Sequence, residues 1–142
     1  MQVSWARDVP ESAREALLGQ LSKAAAACSW DELVRLLTAF GKSGLRYPFM
    51  VWSMDTQFKP IGGVYFITQR IIDKNRHLRP HHSAIFIGKT ENLAQAFNAE
   101  VMPERYLKFG ANCICVHLHD DAAQRAGIER DLLSVYTTDC ND

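Results

Sequence analysis

Two short apolar runs, separated by a polar stretch and followed at once by a helix start, constrain this chain more than anything else in it. The first is Gly63-Val64-Tyr65-Phe66-Ile67-Thr68. The second is Ala84-Ile85-Phe86-Ile87-Gly88, which continues through Lys89-Thr90-Glu91-Asn92 into Leu93-Ala94-Gln95-Ala96-Phe97. Runs this short, rich in β-branched and aromatic side chains and bounded by glycine and polar residues, read as strands. Thr90 or Asn92 can cap a helix running to about residue 100, bounded by Pro103. Residues 70–82 hold no apolar period beyond Ile71-Ile72 and contain Asp73, Asn75 and Pro80, so a long hairpin loop is expected there.

Other segments extend this pattern. Residues 111–119 alternate, with Cys113, Cys115, His117 and His119 on one face of a strand and Ile114, Val116 and Leu118 on the other. Asp120 then caps a last helix whose stripe is Ile128, Leu132 and Tyr136. Upstream, Pro10, Glu11 and Glu15 open a helix over residues 10–27. Ser29-Trp30-Asp31-Glu32 is a capping box for a second helix, with Leu33, Val34, Leu37 and Phe40 as its stripe and Gly41 as its stop. Phe49 to Met54 reads as a strand. The expectation is one α+β domain over 1–142, in the order α-α-β-β-β-α-β-α. A helical hairpin over 1–45 packs on a core over 46–142, with a small three- to four-stranded mixed sheet flanked by helices.

Sixteen basic and sixteen acidic residues give a formal charge of zero, which argues mildly against a strong non-specific nucleic-acid binder. The charge is unevenly spread. Residues 59–110 carry eight Lys or Arg against four Asp or Glu, with His77, His81 and His82 beside them, so this region is locally positive. Four cysteines without paired metal-finger spacing are read as reduced, which suits a cytoplasmic protein. No stretch reads as a signal peptide or membrane span, and no membrane partner is expected. Gly41-Lys42-Ser43 is no phosphate loop, because Leu36 stands where the motif needs glycine.

The order of the pieces resembles the GIY-YIG nuclease family. Gly63-Val64-Tyr65 stands for its first motif and Phe86-Ile87-Gly88 for its second, with Thr90, Asn92 and Leu93 in register behind. Ile128-Glu129-Arg130-Asp131-Leu132-Leu133 fits its glutamate motif, and Cys140-Asn141 resembles the ends of small members. The resemblance covers about residues 60–142. It implies a metal-dependent DNA endonuclease, a hydrolase in which Tyr65 helps activate water and Glu129 binds magnesium or manganese. Phe86 keeps the second tyrosine's ring without its hydroxyl. Ala96 stands where the family carries the arginine that meets the phosphate.

Phosphodiester hydrolysis needs a positioned nucleophile, a cation against the growing phosphate charge and a ligand for any metal. Losing one charge-stabilising donor typically costs on the order of a hundredfold in rate or more. On that resemblance the chain would be a lapsed nuclease, or borrow Arg105 or Arg125, or carry an introduced alanine. Lys89, Thr90, Asn92, Arg79, His82 and Asn141 are the candidate nucleic-acid-binding residues, Lys89 foremost for a phosphate. Taken singly, the residues have plainer readings: Tyr65 as a packing aromatic, Glu129 as the partner of Arg125 one turn back, and His81, His82 and Arg79 as solvated loop. Cys113, Cys115, His117 and His119 span about 20 Å along a strand, too far for one metal to take all four. The alternative to an endonuclease is a non-catalytic nucleic-acid- or protein-binding module on the same scaffold. The N-terminal hairpin is a candidate surface for a protein partner or a second copy of the chain.

Overall fold

The computed structural model describes residues 2–5, 35–72, 80–97 and 104–141. Six strands form one sheet: β1 (Gln2–Trp5), β2 (Arg35–Phe40), β3 (Arg46–Ser53), β4 (Gly63–Ile72), β5 (Pro80–Thr90) and β6 (Cys113–Leu118). Their order is β1-β2-β3-β6-β4-β5, and every neighbouring pair is antiparallel. Helices α1 (Leu93–Ala96), α2 (Glu104–Lys108) and α3 (Ala122–Leu133) complete the described elements. The fold is α+β, as expected, but the sheet is larger than three or four strands and antiparallel rather than mixed.

The sheet is buried on both faces. Met50, Trp52, Ile67, Ile85, Ile114 and Val116 pack with Leu93 of α1 and Tyr106 of α2. Leu37, Phe49, Val51, Val64, Phe66, Ile87, Cys113 and Cys115 pack with Ile128 and Leu132 of α3 on the other side. The two faces of β6 are those the alternation assigns. Burying each Leu, Ile or Phe contributes about 1.5–3 kcal/mol, so this sandwich of apolar layers carries the fold.

Three expectations are corrected. Residues 35–40 are a strand and not the end of a helix: Leu37 and Ala39 are buried while Phe40 is exposed, a period of two that suits pairing with β3. The connection turns at Gly44, whose φ of 88° lies in the left-handed region that glycine adopts without strain. Within the segment 1–45 expected as a helical hairpin, Gln2–Trp5 is likewise a strand, and residues 6–34, with the helix expected over 10–27, lie outside the described residues. Both ends of the expected loop over 70–82 are ladder, and residues 73–79 lie outside the described residues. β4 continues to Ile72 and β5 begins at Pro80, with Arg70 opposite His82 and Ile71 opposite His81. Finally, α2 occupies a stretch for which no helix was expected.

Between β4 and β5 the register slips, since Ile67 faces Phe86 whereas Thr68 faces Ala84. The extra residue is Ile85, and this bulge turns Ile85 and Phe86 to the same face, beside α1 and α2.

Candidate active site

Tyr65 on β4 lies directly opposite Gly88 on β5. A side chain at 88 would collide with it, because a Cβ there would stand 2.6 Å from the phenol oxygen and 2.7 Å from the Phe86 ring. Glycine therefore lets the Tyr65 ring lie across the edge strand. Phe97, just past α1, meets this ring edge-on at 4.8 Å between centroids, and Phe86 lies at 6.0 Å. Arg105 of α2 holds its guanidinium 5.8 Å from the Phe86 ring and 5.4 Å from that of Tyr106, cation–π distances.

Burial, before any neighbouring charge, pushes the Tyr65 phenol up to about 12; Tyr106 and the Glu129 carboxylate add to the rise and Arg105 opposes it. At neutral pH Tyr65 is thus a protonated hydroxyl that can donate one hydrogen bond and accept another. It feels both charges that a phosphodiester site needs, a carboxylate and a guanidinium.

Glu129 comes from α3. Asp121 opens that helix by accepting from the N–H groups of Ala123 and Gln124, and the burial of Ile128 and Leu132 fixes its rotation. Glu129 is left at the boundary, its side chain 22% exposed, with Oε1 3.5 Å from Lys89 Nζ on β5. Arg125 takes another course. Only 7% exposed, it donates from Nη1 to the His119 carbonyl at 2.8 Å and ties the end of β6 to α3. Of the two arginines the chain can borrow, Arg105 is the one whose charge reaches Tyr65. Ala96 is the last residue of α1, half-buried, and supplies no cation.

The remaining candidates separate. Asn92 caps α1 by accepting from the Gln95 N–H, and Thr90 bonds to the Asn92 backbone, so both shape the turn after Lys89. Asn141 accepts from Ile87 N–H at 2.7 Å and donates to Ile87 C=O at 2.8 Å, imitating a strand partner along the β5 edge. Cys140 N–H donates to Ile85 C=O on the same edge. His82 is no surface contact. It is 3% exposed and shares a 2.8 Å bond from Nδ1 to the Thr68 hydroxyl, because alternation along β5 turns it toward the sheet face that α3 covers. Arg79 lies outside the described residues.

Cys113 and Cys115 are buried and their thiols raised by burial, which makes them packing groups rather than nucleophiles. His117 bonds from Nδ1 to the Pro48 carbonyl. Among the described residues no three His, Cys, Asp or Glu converge on a ready-made metal site. A lone, partly exposed carboxylate fits magnesium, which keeps several waters and is commonly held by one or two carboxylates together with substrate phosphates. Among the described residues no helix is long and apolar enough to cross a membrane.

Sequence reasoning missed the ion pair between Lys89 and Glu129 and the part α2 plays beside Tyr65. Comparison of the chain with protein-family models, curated proteins and solved structures gave no match.

Proposed function

We propose that the chain is a GIY-YIG-type endonuclease that hydrolyses DNA phosphodiester bonds with a divalent cation, magnesium or manganese. The observation that carries this reading is the electrostatic meeting of Tyr65 with both Glu129 and Arg105 beside Gly88. Tyr65 orients the attacking water through its hydroxyl. Glu129 holds the cation, which when bound lowers the pKa of coordinated water and neutralises phosphate charge. Arg105 supplies the fixed positive charge that Ala96 lacks, and Lys89 approaches a neighbouring phosphate. Asn141 holds the edge strand at Ile87, one residue before Gly88.

Ala96 favours a second reading, a binding module that keeps the scaffold without turnover. Plasmid nicking with magnesium or manganese separates the two, using the chain itself, Ala96→Arg, Tyr65→Phe, Arg105→Gln and Glu129→Gln. Cutting that depends on the cation and disappears in Glu129→Gln supports the endonuclease. DNA binding without cutting, in the chain and in Ala96→Arg alike, supports the module. Neither binding nor cutting sinks both.

A further inference from the structure

The ion pair between Lys89 and Glu129 sits where a metal ligand is proposed, and it can serve as more than a surface contact. Lys89 follows Gly88 on the outermost strand, its side chain 44% exposed, and Glu129 faces it from α3. The C-terminal residues line the β5 edge at Ile85 and Ile87, and these edge bonds stop short of Lys89. Glu129 Oε1, the atom next to the ammonium, is also one of the two atoms a divalent cation can use.

We infer that Lys89 is a resident cation that holds Glu129 until a divalent ion displaces it, and that the released ammonium then meets the nucleic-acid phosphate. The inference rests on reading Glu129 as the metal ligand. Its logic is electrostatic. Magnesium–oxygen bonds are about 2.1 Å long, so an ion on Oε1 would crowd an ammonium now 3.5 Å from the same atom. Like charges at that range repel, and the group on the long flexible stem is the one that gives way. Before exchange, lysine and carboxylate cancel. After it, the same groups with the ion carry two net positive charges, and they attract a polyanion. Metal binding and nucleic-acid binding are thereby coupled in sign through one side chain.

The test measures manganese binding to the full chain by calorimetry, first without nucleic acid. Lys89→Met keeps the stem and removes the competitor, so manganese should bind about two- to fivefold more tightly, the range an exposed ion pair is worth. Lys89→Arg keeps the competitor and should bind manganese no better than the wild type. Adding a short DNA duplex should tighten manganese binding in the wild type and do so less in Lys89→Met. Unchanged or weaker manganese binding in Lys89→Met, with Glu129→Gln still abolishing it, overturns the exchange but leaves Glu129 as the ligand. Manganese binding that survives Glu129→Gln undiminished overturns the ligand assignment itself, and the exchange with it.

Discussion

Tyr65 and His82 stand on the two strands of one hairpin, and burial drives both toward the neutral form. The phenol is raised to about 12 and the imidazole lowered to about 4. They differ in company. Tyr65 is half-buried and acted on by a carboxylate and a guanidinium of opposite effect, whereas His82 has one hydroxyl on Nδ1 and, among the described residues, no hydrogen-bond partner on its buried Nε2. The charges acting on His82, from Arg70 and His81, only reinforce the desolvation. A shifted pKa alone therefore does not mark a reactive place. The proposed site rests instead on opposed charges acting on a half-exposed group, whereas a shift in which burial and charge act in the same sense marks a cost to stability.

The sharpest way to break this contrast is to titrate stability. In the unfolded chain His82 protonates near 6.5, and in the folded protein only near 4. The unfolded state thus binds the extra proton between those values. Stability is unaffected above pH 6.5, falls as pH drops through the window and is fully reduced below 4, by at most about 3 kcal/mol. His82→Gln should flatten that acid limb in urea-unfolding midpoints taken at pH 7.5 and pH 4.5. An unchanged limb would move the acid sensitivity to other groups and make His82 an ordinary core residue.

At the other end of the hairpin, space matters more than charge. Gly88→Ala places a methyl within 2.6 Å of the Tyr65 ring and hydroxyl. The rings of Tyr65, Phe86 and Phe97 must shift together, at about 1–3 kcal/mol for an overpacked site. Thermal unfolding should register the loss. If stability is retained, ring displacement should appear as a change in near-ultraviolet circular dichroism. Neither effect would mean that Tyr65 does not lie across the glycine.

The clamp on the same edge comes next in size. Asn141→Ala leaves Ile87 N–H and C=O without their two partners, and net losses of about 0.5–1.5 kcal/mol per bond are usual. Amide exchange at Ile87 should accelerate in the variant while that at Phe66, on the inner strand β4, does not. Uniform acceleration would indicate that the C-terminal residues hold the whole hairpin rather than its edge.

These regions were not equally legible. β4 and β5 follow from short β-branched and aromatic runs, β6 from its alternation of residue types, and α3 from apolar residues at helical spacing. The strand β2 was misread since Leu33, Leu37 and Phe40 satisfy a helical spacing while Leu37 and Ala39 satisfy an alternating one, and only pairing with β3 decides between them. Nothing local shows that β3 lies beside β6, sixty-odd residues later in the sequence. Within the site, Tyr65 and Glu129 could be named from motif register. The α2 contribution could not, because Tyr106 is the one buried residue in a helix of five and leaves no periodic trace. His82 looked like loop because polar residues flank it, although its ladder partner Arg70 and its bond to Thr68 place it inside.

The smallest expected effect bears most directly on the site. Ultraviolet titration should show Tyr65 ionising only near 12, and Tyr65→Phe should delete that step. Burial is the leading cause of the rise, so Glu129→Gln should lower the midpoint only slightly, by removing one opposing charge. Arg105→Gln should move it slightly the other way, since the guanidinium favours the phenolate. The two variants thus shift one group in opposite senses, which general loosening of the core cannot do, because added water would lower the midpoint in both. Shifts of the same sign would dissolve the distinction between Tyr65 and His82 and leave the hairpin with two buried groups and no charged site.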